Sequence, residues 1–279
     1  MKKVFLPRTL SELWSCLEDE PNALPYMGGT DLLVRYDARG DVLPALVCLE
    51  RIADLQGISA DNGIIRIGAA TTLARILDDA VVRKDLPVLT QAIRVLGSPI
   101  VRNMGTIGGN IGRASPAGDT LPPLYALGAE VELISPSGSR SLAVGDLIAG
   151  PGRTRLEWGE IIAAVRIVKP VSSAFQRYEK VGHRNALACS LVSMAAVIGV
   201  GGDGKVETAS LAWGSVGPTV VTCPAAVKVL LGRKLDMETL EEAAGAVRDA
   251  VAPIDDVRAD ARYRRTVAGN LLLRLAAGA

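Results

Sequence analysis

The sequence predicts an α+β chain in two units, residues 1–170 and 173–279, on three observations. In the first unit short strand-like runs alternate with capped helical ones. Two glycine-rich stretches interrupt that unit, one near residue 28 and one from residue 105. From about Ser173 the character changes to long strands and then helices, the order of a separate α+β domain. The boundary falls at "KPVSS", residues 169–173.

Each element has its own reason. "KKVFLP" reads as a strand, and Thr9 with Glu12 forms a capping box that opens a helix over residues 9 to about 18. "ALPYM" is a second strand that runs into Gly28-Gly29-Thr30-Asp31; "LLVRY" is helical after it, and "ALVCLE" is a third strand. Residues 1–56 are thus a small β-α-β-α-β subdomain. Residues 57–170 form a second subdomain, opened by "GIIRIGAATTL", a strand passing into a helix capped by Thr71 or Thr72. Asp85 caps another helix, with Pro87 in its first turn and Gly97 at its end. Val88, Leu89, Ala92, Ile93, Val95 and Leu96 give that helix a buried face. "LYALGAEVELIS", "SRSLAVGDLI" and "EIIAAVRIV" read as helix or strand, with turns at "PSG" and Gly150-Pro151-Gly152. Beyond residue 173, "AFQRYEKVG" and the run from Ala186 to Val216 are antiparallel strands turning at Gly201–Gly204. Helices follow at "CPAAVKVLLG", at "LEEAAGAVRDAV" behind a Thr239/Glu242 capping box, and at "ARYRRTVAGNLLLRLAA".

Composition excludes several functions. Lys+Arg number 31 against Asp+Glu 30, and the net charge of +1 gives no electrostatic case for nucleic acid or an anionic membrane. Aromatics, at 4%, are too few for a base-stacking platform. The N-terminus lacks the apolar core of a signal peptide. The charge-free run 186–202 is too short, and too rich in Ser, Cys and Gly, to span a bilayer. Cys16, Cys48, Cys189 and Cys223 are scattered without a CxxC pair, and His183 is the single histidine, so neither a zinc site nor an iron–sulfur cluster is expected. These are reduced, mostly buried thiols of a cytoplasmic protein.

The chemistry sits in the glycine stretches. A strand that ends in Gly-Gly-Thr-Asp and continues into a helix presents unpaired N–H groups to an anion, which glycine lets approach closely. An ordinary β-turn accounts for that stretch equally well. "GTIGGNIGRASPAGD" is harder to dismiss: glycines at 105, 108, 109 and 112 are interleaved with the donors Thr106, Asn110 and Ser115, and Asp119 stands at the far end. Amides would hold phosphates there and the carboxylate would face sugar hydroxyls. Neither stretch is a P-loop or a Rossmann fingerprint. Together they suggest a dinucleotide in a crevice between the two subdomains. His183 reads as a surface strand-end residue, and Arg258, Arg262, Arg264 and Arg265 as a solvated helix face.

"GGTDLL" followed by "TIGGNIGRASPAGDTLPPLYALGAEVEL" closely resembles the FAD-binding (medium) subunit of molybdenum hydroxylases, the family of xanthine and carbon monoxide dehydrogenases. "YEKVGHRNALACSLVSMAA" and "PIDDVRADARYRRTVAGNLL" extend the resemblance over nearly the whole chain. It implies a two-subdomain FAD-binding fold of the vanillyl-alcohol oxidase (PCMH) type, followed by a C-terminal domain like that of carbon monoxide dehydrogenase flavoproteins. Carried over residue by residue, it places Met27, Gly28, Gly29, Thr30, Asp31 and Leu32 at the FAD diphosphate from one side. Thr106, Ile107, Gly108, Gly109 and Asn110, with Ser115, meet it from the other. Asp119 matches the family's acidic FAD contact, Ile162 and Lys180 match flavin-adjacent positions, and Leu96 stands where some relatives have an aromatic. The implied function is electron transfer from iron–sulfur clusters of a small partner subunit, through FAD, to NAD⁺ or another acceptor. The substrate would be oxidised at molybdopterin on a large partner subunit. No acid–base dyad is expected in this chain, since FAD carries the reactive centre. The rivals are a self-contained FAD oxidoreductase of the same fold, MurB-like, and a non-catalytic assembly subunit.

Overall fold

The structure, a computed structural model, describes residues 3–39, 43–171, 174–184 and 187–277. Lys2 of the first expected strand, Ser172 and Ser173 of the expected boundary, and Ala186 of the long apolar run lie outside the described residues.

The first unit has strands β1 (Val4–Phe5), β2 (Leu24–Tyr26) and β3 (Leu46–Cys48), connected through helices α1 (Leu10–Asp19) and α2 (Leu32–Arg39). The strands are parallel in the order β1-β3-β2, the arrangement that helical crossovers produce. Thr9 caps α1 by accepting the N–H of Glu12, and the Glu12 carboxylate reaches back to the N–H of Arg8. The expected capping pair is present, with the return bond displaced by one residue.

The second unit begins with strands β4 (Ile58–Asp61) and β5 (Ile64–Gly68), then six short helices: α3 (Leu73–Asp78), α4 (Ala80–Asp85), α5 (Pro87–Val95), α6 (Pro99–Met104), α7 (Ile107–Arg113) and α8 (Leu121–Ala126). It continues with β6 (Glu130–Ser135), β7 (Gly138–Ala143), α9 (Val144–Leu147), β8 (Ile148–Gly150), β9 (Arg153–Thr154) and β10 (Ile161–Val168). The antiparallel sheet runs β4-β5-β10-β6-β7. Strand β10 is apolar from Ile161 to Val165 because both its faces are covered there. Ile161 and Ala163 join the core of the first unit; Ile162, Val165 and Ile167 join that of the second. A register shift between Ile162 and Ala164 carries the alternation across that change.

The third unit is an antiparallel sheet of β11 (Ala174–Val181), β12 (Val192–Val200), β13 (Val206–Gly214) and β14 (Val221–Thr222). Helices α10 (Pro224–Leu230), α11 (Met237–Ala250) and α12 (Ala261–Leu273) cover one face. The other face contributes Tyr178, Ala195 and Ala212 to the core of the second unit.

Four local expectations are corrected. Asp85 ends α4 instead of capping α5, whose N-cap is Leu86 with no side-chain bond; Asp85 pairs with Lys169 at 3.0 Å. Helix α11 starts earlier than read, capped by Asp236 through the N–H of Thr239, so Thr239 lies inside the helix and is buried. The glycine-rich stretch is a helix, α7, preceded by a helix α6 that periodicity did not announce. Arg264 is 3% exposed and turned inward, unlike Arg258, Arg262 and Arg265. Of the four thiols, Cys48 and Cys223 are buried, whereas Cys16 is half-buried and Cys189 exposed. Among the described residues no helix is long and apolar enough to cross a membrane.

Candidate functional site

The parallel register of β2 with β3 and the turn before α7 bring the two glycine stretches together. Gly28 and Gly29 are both buried and both at positive φ, +69° and +61°, where side chains are strained. A Cβ on Gly28 would lie 2.4 Å from the carbonyl oxygen of Met104, so the turn rests directly on the end of α6. A Cβ on Gly109 would stand 2.9 Å from Thr106 Oγ1 and 3.2 Å from the carbonyl oxygen of Met27. The backbones touch, and only glycine permits it at Gly28.

A crevice of about 590 Å³ opens beside this contact. One wall has Met27, Gly29, Thr30 and Asp31; the opposite wall has Thr106, Gly109, Asn110, Ser115 and Asp119. A second cavity of about 420 Å³ lies on the far side of the same junction, with Leu32, Gly108 and Ile162 in its lining. Met27, Asp31, Gly109 and Arg113 border both. The N–H groups of Thr30, Asp31, Ser98 and Ser115, all residues of the crevice lining, find no protein acceptor among the described residues.

Three expected residues border neither space. Ile107 is fully buried and packs into the core, Gly28 is covered by the turn it makes, and Lys180 stands behind Asp119. The amides at the start of α7 are also not available as expected. Ile107 and Gly108 donate to the carbonyls of Thr71 and Ala69, and Gly109 donates to Thr106 Oγ1. A Cβ on Gly108 would fall 2.6 Å from that of Ala69, so this glycine serves helix–strand packing. Asp31 faces the other unit through Arg113, whose Nε is 2.5 Å from Asp31 Oδ2, though not along the N–H direction.

Asp119 is 6% exposed, and its carboxylate is already engaged. Oδ1 accepts from the Tyr178 hydroxyl at 2.8 Å and from Ser190 Oγ at 2.7 Å; Oδ2 accepts from Lys180 Nζ at 2.7 Å. Those donors all belong to the third unit, so the acid ties that unit to the crevice floor. Burial, and then the Asp119 charge, push the Tyr178 phenol well above its ordinary value, which keeps it a donor. Ser190 also accepts, through its carbonyl, from Ser215 Oγ at 3.0 Å. Arg264 in turn donates to the carbonyls of Ser215 and Leu191. The network therefore extends from the crevice into α12.

Leu96, where some relatives have an aromatic, lines the crevice; so do Gly97, Ser98, Val101 and Leu187–Cys189 of the third unit, which no motif announces as site residues. Sequence reading also passed over Tyr26, Arg35 and Tyr36 beside the second cavity. Gly97 was legible as a helix stop, but nothing local marks that stop as a cavity wall.

A glycine turn and a glycine-rich helix thus meet between two cavities, beside the buried Lys180–Asp119 pair. The chain belongs to the FAD-binding family of the molybdopterin dehydrogenases, which takes in carbon monoxide and xanthine dehydrogenases. The family described as "FAD binding domain in molybdopterin dehydrogenase" matches residues 1–170, and "CO dehydrogenase flavoprotein C-terminal domain" matches residues 177–279. The putative xanthine dehydrogenase FAD-binding subunit of Escherichia coli (strain K12) is 31% identical over 92% of this chain and 88% of its own length. The carbon monoxide dehydrogenase medium chain of Afipia carboxidovorans is 33% identical over 91% and 87%. Among solved structures, reconstituted CO dehydrogenase from Oligotropha carboxidovorans superposes with a TM-score of 0.93 at 31% identity, covering 98% of this chain and 96% of that one. Quinoline 2-oxidoreductase from Pseudomonas putida 86 gives 0.94 at 28% identity, covering 100% and 96%.

Proposed function

We propose that this chain is the flavin-carrying, electron-transferring subunit of a cytoplasmic molybdenum-containing hydroxylase. It would receive electrons from iron–sulfur clusters of a partner subunit and deliver them to NAD⁺ or another acceptor. The observation that carries this reading is the meeting of the Gly28-Gly29 turn with the glycine-rich helix α7 at a junction that borders both cavities. FAD suits it: a ligand with a ring system at each end and a diphosphate between would lie across that junction.

The proposed contacts follow from the donors. Thr30 and Asp31 would give backbone N–H groups to the diphosphate, with Gly29 allowing the approach. Met27 and Gly109 would flank it, and Thr106, Asn110 and Ser115 would meet it from the facing wall. Asn110 keeps its amide nitrogen for that purpose, since its carbonyl oxygen accepts from the Thr120 hydroxyl at 2.7 Å. Asp119 would border the ligand at the crevice floor, its charge paired with Lys180 behind it, while Leu32, Gly108 and Ile162 would line the second cavity. Gly28 and Ile107 would hold the turns and not the ligand. When bound, FAD would supply both one-electron and two-electron redox chemistry. The division into a FAD-binding domain at 1–170, with subdomains at about 1–56 and 57–170, and a flavoprotein domain at 173–279 belongs to the same proposal.

The test is to purify the chain, denature it, and identify the released chromophore by absorbance and mass. One FAD per chain is expected. If none is found, and none binds on refolding with FAD, the crevice has another ligand.

A further inference from the structure

The turn that brings Gly29, Thr30 and Asp31 to the crevice is built on glycine, whose backbone has many alternatives open to it. The N–H of Gly29 donates to the carbonyl of Met27 at 2.8 Å, which closes a γ-turn around Gly28 at φ +69°. Glycine adopts positive φ as readily as negative φ, so this turn is one of several open to the backbone and its neighbours must select it. Two contacts meet Gly28. The Met104 carbonyl lies on one side, where it leaves no room for a Cβ. On the other side Glu50 Oε1 accepts the Gly28 N–H at 2.6 Å.

We propose that Glu50 is a positioning residue for the cofactor: its carboxylate fixes the Gly28-Gly29 turn so that the Thr30 and Asp31 amides face the crevice. Glu50 borders neither cavity and acts through Gly28 alone. Its place is set by the register of the parallel strands. Tyr26 lies opposite Cys48, and the Leu49 N–H donates to the Tyr26 carbonyl, so the two strand ends leave the sheet side by side. Gln56 Nε2 donates to the Glu50 carbonyl at 2.6 Å and fixes that backbone in turn. The Gly28 N–H is buried, and without Glu50 it would have no acceptor. An acid beside a site for phosphate repels the ligand, so a role in binding phosphate directly is excluded by sign. Acceptance of one buried N–H is the role left for it.

This inference rests on the FAD reading above, and its experiment separates the two. FAD would be titrated into the apo full-length wild-type, Glu50→Gln and Glu50→Ala proteins, with flavin fluorescence as the signal. Amide exchange of the peptide containing residues 26–31 would be followed in the same apo samples. Loss of the acceptor should weaken FAD about 10- to 100-fold in Glu50→Ala and speed exchange in that peptide. Glu50→Gln keeps an acceptor oxygen and loses the charge, so it should stay within about threefold of wild type, or bind more tightly, with exchange unchanged. Wild-type affinity and exchange in Glu50→Ala would overturn the proposal. Equal loss in Gln and Ala variants would also overturn it, because charge and not acceptance would then be what matters. If wild type itself binds no FAD, the cofactor reading fails, and the exchange comparison still decides whether Glu50 fixes the turn.

Discussion

Glycines that look alike in sequence do different jobs one residue apart. Gly108 meets the backbone and Cβ of Ala69, inside the packing of α7 on the sheet, whereas Gly109 meets Met27 across the crevice junction. Gly108→Ala should therefore lower stability, by about 1–3 kcal/mol as an overpacked contact. Gly109→Val should abolish FAD retention by displacing the Met27–Gly28 turn while leaving secondary structure intact. Urea midpoints and flavin content, measured on both variants, check the contrast; the reverse pattern would mean that the two roles are misassigned. Asp119 is a second case. Its three donors make it a structural acid as well as a crevice residue, so Asp119→Ala strands the Lys180 cation, whose side chain is 10% exposed. Removing one partner of a buried pair costs about 3–5 kcal/mol, and a clear drop in the urea midpoint is expected whether FAD is present or not. An unchanged midpoint would show that Lys180 reaches solvent without it.

At the scale of elements, α7 is the informative one. Three glycines in seven residues oppose a helix on propensity alone, each by about 1 kcal/mol relative to alanine. The helix exists because Thr106 caps it, because Thr71 and Ala69 accept its first amides, and because Ile107 and Ile111 are buried. Thr106→Ala should cost roughly 1 kcal/mol of stability and weaken FAD, with Thr106→Ser restoring both; a thermal melt and a flavin titration measure the pair. The same element shows what the sequence could not convey. "TIGGNIGR" was legible as a special, backbone-crowded segment, but its helical state depends on partners 35 residues and more away. The start of α11 was misread for a smaller reason: Thr239 and Asp236 are both capping types, and only the backbone shows which one stands outside the helix.

Across the whole molecule, the crevice floor is a junction between units. Tyr178 comes from β11, belongs to the core of the second unit, and donates to Asp119 beside the crevice. Its raised pKa links stability to pH with a definite sign. The neutral phenol is the form the fold prefers, so this contribution is complete below about pH 10, the value in an unfolded chain, and is lost as pH rises toward the folded value. Tyr26 acts in the same direction, since burial and then Cys48 and Glu50 push its phenol up to about 12. Unfolding free energy should therefore fall between about pH 10 and 12, and less steeply in Tyr178→Phe, whose stability at neutral pH is lower through the lost bond to Asp119. Denaturant titrations across that range test it; parallel curves for the two proteins would remove Tyr178 from the alkaline transition.

The chain's own order of residues determined the alternation of capped helices and short strands, the change of character near residue 170, and the two glycine stretches as places of close approach. Each of these is local, written in spacing, caps and turn residues within a dozen positions. The tertiary structure decided which of those residues face a ligand. It turned Ile107 and Arg264 inward, spent the first amides of α7 on Thr71 and Ala69, and left those of Thr30 and Asp31 free. It also placed Glu50 under Gly28 and gave Asp119 three donors from beyond residue 177. A hydrogen bond between residues tens of positions apart leaves no period and no spacing in a single sequence. Its existence depends on strand register and domain packing, which are set by burial over the whole chain.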